Sequence, residues 1–318
     1  MNIEQSISEG KYLARVVLPS EIDEARNIQY FEFDGENFQS DHNEGTLIIE
    51  PFREFSGIAP QPETTQMQHA SVVAAALNEI DEGLIKKVVV SCIKHEPRNT
   101  KSLDVVFSEL IANYPNAFVF VLNHPQHGAW MGATPELLLR KEDQNFQTVS
   151  LAGTQLYSGE KEIQWSDKLK SEQSLVTDFI LESLSKCGAM NIASKGPYTS
   201  HAGPLVHLKT EIQFTGAIDS TEIIRQLQPT PAVCGVPRKA ALQFIDRHSN
   251  FERRLYAGRI GLAMPNNREL HFVTLRCMQI FSDHFEIHVG GGIVAQSNAY
   301  DEWNETEIKA NVLRKFLH

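Results

Sequence analysis

Apolar positions along this chain follow two rhythms, and the switches between them predict most of the elements. TLIIEPF (46–52), KVVVSCI (87–93), AFVFVLN (117–123), WMGATPELLLR (130–140) and FQTVSLAGTQ (146–155) are β-branched, aromatic or alternating, as strands are. LVHLKTEIQFTGAI (205–218), RIGLAM (259–264), LHFVTLRCMQIF (270–281) and HFEIHV (284–289) continue the series. Between them the period lengthens. Val72, Val73, Ala76, Leu77, Ile80 and Leu84 recur at helical spacing from Thr65 to Gly83, with Gly83 as the stop. Helices are also predicted over Ser102–Tyr114, Asp167–Ser185, Thr221–Leu227, Arg238–Arg247 and from Ala299 to the end. Residues 1–45 are polar and mixed and predict nothing definite.

Runs of neighbouring strands with few helices between them point to an α+β fold with large, mostly antiparallel sheets. No Pro/Gly/Ser-rich linker or composition break divides the 318 residues, so a single domain over 1–318 is expected. With 42% hydrophobic residues the chain can fill a large core. A net charge of −11 without a basic stripe argues against a nucleic-acid partner. No apolar run approaches the length of a membrane span, and the first residues lack a signal-peptide pattern. Four widely spaced cysteines with no C-x-x-C suggest reduced thiols in a cytoplasmic protein rather than a zinc or disulfide framework.

Several side chains stand out. Glu302, Glu305 and Lys309 share one face of the last helix. A solvated face is the plain interpretation; the sharper one is a hard metal held by carboxylates beside an anion held by lysine. Just upstream, Gly290, Gly291 and Gly292 let backbone amides approach an anion, or simply form a bulge. Lys87 opens a β-branched run and either reaches solvent or, if desolvated, acts as a base. Glu136 is a carboxylate inside an apolar strand, an edge residue or a buried proton donor. Arg276, midway along another strand, needs an internal acid or a ligand carboxylate. Glu172 is on its own a helix-surface residue, and His207 a satisfied sheet histidine.

Taken in order, KVVVS (87–91), GATPELLLR (132–140), LAGT (151–154), SDK…E…LVTD (166–178), HLKT (207–210), LQPTPAVCGVP (227–237), FERRLYAGRIG (251–261), VTLR (273–276), GGGIV (290–294) and DEWNETEIK (301–309) resemble the chorismate-utilising enzymes. These are the isochorismate and salicylate synthases and the aminating anthranilate and aminodeoxychorismate synthases. The resemblance covers residue 87 to the end. It implies two packed antiparallel sheets with helices outside and a cleft at the sheet ends. It also implies chorismate as substrate and Mg²⁺ as cofactor, held by Glu172 and Glu305, with Glu302 holding metal-bound water. Tyr256, Arg276, Lys309 and the amides of Gly290, Gly291 and Gly292 would hold carboxylates, and Gly153, Thr154 and His207 would line the ring site.

Lysine at position 87, where aminating relatives carry glutamine, implies water addition: Lys87 as base at C2 and Glu136 as acid at the departing C4 hydroxyl. The expected activity is therefore that of an isochorismate synthase, with salicylate synthase as the nearest alternative. PTPAVCGVP is more similar to the former. An aminating synthase or a non-catalytic chorismate-binding module is a more distant alternative. The same resemblance implies a monomer without a glutaminase subunit, feeding menaquinone or siderophore synthesis. The lack of an attached carrier domain leans towards menaquinone. Three positions depart from the family pattern: Leu169, Gln173 and Cys92.

Overall fold

The computed structural model describes residues 2–318 except 36, 41–44, 158, 160–161 and 203–204. From the amino end come α1 (Ile3–Ser8), β1 (Leu13–Val17), β2 (Gln29–Phe33), β3 (Phe38–Ser40), β4 (Thr46–Glu50), α2 (Gln66–Asp81) and β5 (Lys87–Pro97). Then follow α3 (Leu103–Asn113), β6 (Phe118–His124), β7 (Gly128–Thr134), β8 (Leu137–Glu142), β9 (Asn145–Leu156) and α4 (Asp167–Lys186). The next elements are β10 (Met190–Ala202), β11 (Leu205–Thr215), α5 (Ser220–Leu227), β12 (Gly235–Val236) and α6 (Arg238–His248). The chain ends with β13 (Arg259–Met264), β14 (Arg268–Val273), β15 (Cys277–Ile280), β16 (His284–Ile293) and α7 (Ala299–Arg314).

The α+β class expected from the strand-rich pattern holds, and every strand pairing among the described residues is antiparallel. Where two sheets were expected, the described strands join edge to edge in one hydrogen-bonded order, β10-β11-β9-β8-β14-β13-β4-β3-β2-β1-β6-β7-β15-β16-β5-β12. The ladder folds back on itself. Phe118 and Phe120 of β6 and Trp130 of β7 share one core with Leu138 and Leu139 of β8 and Phe272 of β14. The alternate residues Val119 and Val121 of β6 pack on the far side with Phe107 and Leu110 of α3 and Leu313 of α7. Both faces of β6 are therefore covered, which is why AFVFVLN reads as an unbroken apolar run.

Two expected strands are each broken in two. WMGATPELLLR divides into β7 and β8 at Pro135–Glu136, and LHFVTLRCMQI divides into β14 and β15 at Thr274–Arg276. The physical reason is a double crossover. β7 pairs with β15 in one half of the ladder, while β8 pairs with β14 in the other. Two neighbouring chains thus leave one half together and enter the other. Their bends are tied to one another: Val273 N donates to Glu136 O at 3.0 Å and Ala133 N to Arg276 O at 3.0 Å, and the Thr134 hydroxyl donates to Val273 O. Proline at 135 and a left-handed backbone at Arg276 (φ 47°) make the two turns.

β10 is absent from the sequence expectation because it is an edge strand with mostly exposed or half-exposed side chains, so it lacks an apolar rhythm. No helix among the described residues is long and apolar enough to cross a membrane. All four cysteines are free thiols.

Candidate functional site

A cleft of about 680 Å³, open solvent at its mouth included, lies where the double crossover meets the end of the glycine strand. Its wall includes Glu136, Gly153, Thr154, Glu172, His207, Tyr256, Arg276, Gly290, Gly292, Glu305 and Lys309, eleven of the fourteen positions singled out from sequence. The other three, Lys87, Gly291 and Glu302, lie directly behind it. The register explains the convergence. Gly132 of β7, Cys277 of β15, His288 of β16 and Ile93 of β5 are level across the sheet. Four residues further along the parallel strands β7 and β16 come Glu136 and Gly292, both on the wall of the cleft. Lys87 begins the next strand at the same end, because Ile293 pairs with Val88.

α7 folds back from the end of β16, capped by Asn298, whose side chain accepts from Asp301 N at 2.9 Å. This lays Glu302, Glu305 and Lys309 over the glycines. A Cβ on Gly291 would lie 3.0 Å from Glu302 Oε2 and 3.7 Å from Glu305 Oε1. A Cβ on Gly292 would come within 2.3 Å of Glu172 Oε1 and 2.8 Å of Lys87 Cε. A side chain at Gly292 would therefore push Glu172 and Lys87 aside, and one at Gly291 would crowd Glu302.

Each of the three carboxylates is matched by an ammonium. Lys87 Nζ, fully buried, lies 2.8 Å from Glu172 Oε1, an ion-pair distance without hydrogen-bond alignment. Lys168 Nζ donates to Glu302 Oε1 at 2.6 Å, and Lys309 Nζ sits 2.6 Å from Glu305 Oε1 while donating to Gly290 O at 2.8 Å. Burial opposes charge on Glu172, yet Lys87 brings its carboxyl below the ordinary value. Burial and the neighbouring Glu305 raise that of Glu302, whose Oε2 is buried with no hydrogen-bond partner. Ligand atoms of the three glutamates do not all fall within one 4.8 Å cluster in this lysine-paired arrangement. The donor set is nevertheless all oxygen, with one buried oxygen unsatisfied, and such a set suits a hard divalent cation.

On the crossover side, burial pushes the Glu136 carboxyl up to about 7, against the pull of Lys87, Arg276 and the nearby Thr230 hydroxyl. His207 Nδ1 lies 3.1 Å from Gly153 O and 3.2 Å from Thr154 Oγ1. A carbonyl can only accept, so the proton is assigned to Nδ1, and Nε2 accepts from Arg276 Nη2 at 3.1 Å. Burial, with Arg276 adding, drives the His207 pKa far down, so the ring is neutral. The partner of Arg276 is thus this imidazole, and no protein carboxylate pairs with it among the described residues.

Reasoning from sequence missed Lys168, Thr230 and His288. Lys168 stands four residues before Glu172 on the same helical face, a spacing that carried the signal. Of the departures, Gln173 anchors α4 to the sheet through Ser150 O (3.2 Å) and Thr210 Oγ1 (3.1 Å). Leu169 packs against Gly153, and Cys92 lies in the apolar core.

The chain matches the family model described as chorismate binding enzyme over residues 24–318. It is 30% identical over 266 residues to isochorismate synthase EntC of Escherichia coli K12, covering 79% of this chain and 67% of that protein. It is 30% identical over 274 residues to isochorismate synthase MenF of the same strain, covering 80% and 62%. The matched stretches thus span about two thirds of these relatives. Among solved structures, the menaquinone-specific isochorismate synthase MenF of Escherichia coli aligns with a TM-score of 0.80 over 96% of this chain and 89% of that one, at 20% identity.

Proposed function

This chain belongs to the chorismate-binding enzymes, and from that membership and the geometry of its cleft we propose that it is an isochorismate synthase, a hydroxymutase that moves a hydroxyl of chorismate from C4 to C2. The observation that carries the proposal is that a buried lysine, Lys87, and a buried glutamic acid, Glu136, come to the same end of the sheet, with a cluster of three glutamates beside Lys87. Glu172 and Glu305 would hold Mg²⁺ directly, and Glu302 would hold water bound to it. The unsatisfied oxygen of Glu302 and the glycine floor fit such an ion. When bound, Mg²⁺ supplies positive charge that positions and neutralises the ring carboxylate of the substrate.

The remaining work falls to the chain. Arg276, Tyr256, Lys309 and the amides of Gly290, Gly291 and Gly292 hold the carboxylates; Gly153, Thr154 and neutral His207 border the ring. Lys87, acting as the neutral amine once Glu172 is given over to the metal, takes a proton from the water that adds at C2. The double bonds shift, and Glu136 gives its proton to the hydroxyl leaving C4, so the ring gains and loses one oxygen. The enzyme acts as a cytoplasmic monomer without a glutaminase subunit, and its product enters menaquinone or siderophore synthesis.

Product identification tests the assignment. Chorismate with Mg²⁺ is expected to give isochorismate without added ammonia, and chelation is expected to stop turnover. Accumulation of salicylate instead would identify a pyruvate-eliminating enzyme, and a need for ammonia an aminating one.

Gly292→Ala offers a second check. The added methyl would displace Glu172 and Lys87 at once, and a displacement of about 1 Å at reacting groups costs roughly a hundredfold in rate. Steady-state kinetics should show that loss; unimpaired turnover would place the chemistry elsewhere.

A further inference from the structure

Outside the cleft, two strands place a second group of ligating side chains together. His284, Glu286 and His288 share one face of β16 by the two-residue period, and the register sets His95 of β5 directly against Glu286. Ligand atoms of His95, His284 and Glu286 all lie within 4.8 Å of one another. The rings of His95 and His284 lie tilted against each other at 44°, with centroids 4.6 Å apart.

The protein leaves this group partly unsatisfied. Glu286 is fully buried; one carboxylate oxygen accepts the Gln61 amide, and the other, Oε2, has no hydrogen-bond partner. Arg254 stands 3.8 Å from Oε2 but directs its hydrogen bonds to Gln279 and to Ala59 O. His284 Nδ1 lies 2.8 Å from Asp283 Oδ1, which assigns the proton to Nδ1 and leaves Nε2 a bare lone pair. That Nε2 is also buried without a partner, 3.7 Å from Glu286 Oε1. A carboxylate that fixes the far nitrogen of an imidazole is how metal-binding histidines are oriented. His95 Nε2 is 3.9 Å from Glu286 Oε1 and bonds Gln61 O at 2.8 Å, a contact it would exchange for an ion.

We propose that His95, His284 and Glu286 form a second cation site, distinct from the glutamate cluster of the cleft and selective for a borderline metal of the zinc class. Two imidazoles and one carboxylate are the donors such ions prefer over Mg²⁺. Bonds of about 2.1 Å place tetrahedral ligand atoms roughly 3.4 Å apart, so small side-chain rotations close the observed cluster. The ion would clasp β5 to β16 at the end of their ladder. His288, next on the same face, lines the catalytic cleft.

The test uses the full chain, stripped of metal by a chelator and titrated with zinc chloride in excess Mg²⁺ against a chromophoric zinc indicator. One zinc per chain is expected to bind. His95→Gln and His284→Gln should each weaken it about a hundredfold or more, and Asp283→Asn about tenfold. Glu302→Gln, altered in the cleft, should keep the zinc. Both histidines are only partly buried, and wild-type-level turnover of chorismate will show that their variants fold. The proposal is overturned if wild-type protein takes up no stoichiometric zinc, or if the His95→Gln/His284→Gln double variant binds it undiminished.

Discussion

Replacing Lys87 with alanine is expected to lower kcat for chorismate by roughly a thousandfold, the scale of a lost general base, with a much smaller change in KM. Water at C2 would lose its proton acceptor, while Arg276, Lys309 and the glycine amides that hold the substrate remain. The variant should also lose stability. Lys87 is fully buried against Glu172, so truncation opens a cavity and strips a mostly buried carboxylate of its nearest cation, at a cost of about 3 kcal/mol. Lys87→Met separates the two effects, because it keeps the volume of the stem and removes only the amine. Inactive, folded Lys87→Met protein is the expected result; near-normal kcat in that variant would remove Lys87 from the mechanism.

Glu136→Gln is expected to improve stability where it destroys function. The folded carboxyl titrates at about 7, above its ordinary 4.5, chiefly because burial disfavours the charged form. A group raised in the folded state contributes its full stability below the unfolded value and loses it as pH rises through the folded value. Wild-type protein should therefore weaken as pH climbs from about 4.5 to about 7, by roughly 3 kcal/mol in all, and lose no more from this group above 7. kcat/KM should fall as pH passes about 7 and the proton donor is lost. Glutamine cannot ionise. Thermal unfolding well above pH 7 should show the variant more stable than wild type, with turnover reduced about a thousandfold below pH 7, where the wild-type acid is protonated. A variant that keeps the wild-type rate, or a wild-type rate that rises through pH 7, would exclude Glu136 as the acid.

The strand and helix pattern was legible because most elements bury one face and so carry period 2 or 3.6. Gln66–Asp81, Asp167–Lys186 and Ala299–Arg314 lie within a few residues of their expected bounds. Breaks were harder to see: Thr134 and Pro135 marked a turn before Glu136, but the runs on either side of Glu136 and Arg276 are apolar, because both sides of each bend pass through one shared core. Polar β10 and the first three strands lacked the rhythm altogether. The grouping of Lys87, Glu172 and Gly292 joins three separate segments, so no single window of sequence displays it. It came through the resemblance, whereas Lys168 lay in plain view four residues from Glu172.

The bends that carry Glu136 and Arg276 have a consequence for how such a cleft can change. Peptide groups on each bend are bonded to the other, so neither side chain has a hinge of its own. They form one jaw of a vice, already set before any ligand arrives. Altering the chemistry of this scaffold is therefore easiest on the opposing jaw, at the entrance to β5 and along α4, where one residue can be exchanged without dragging its neighbour.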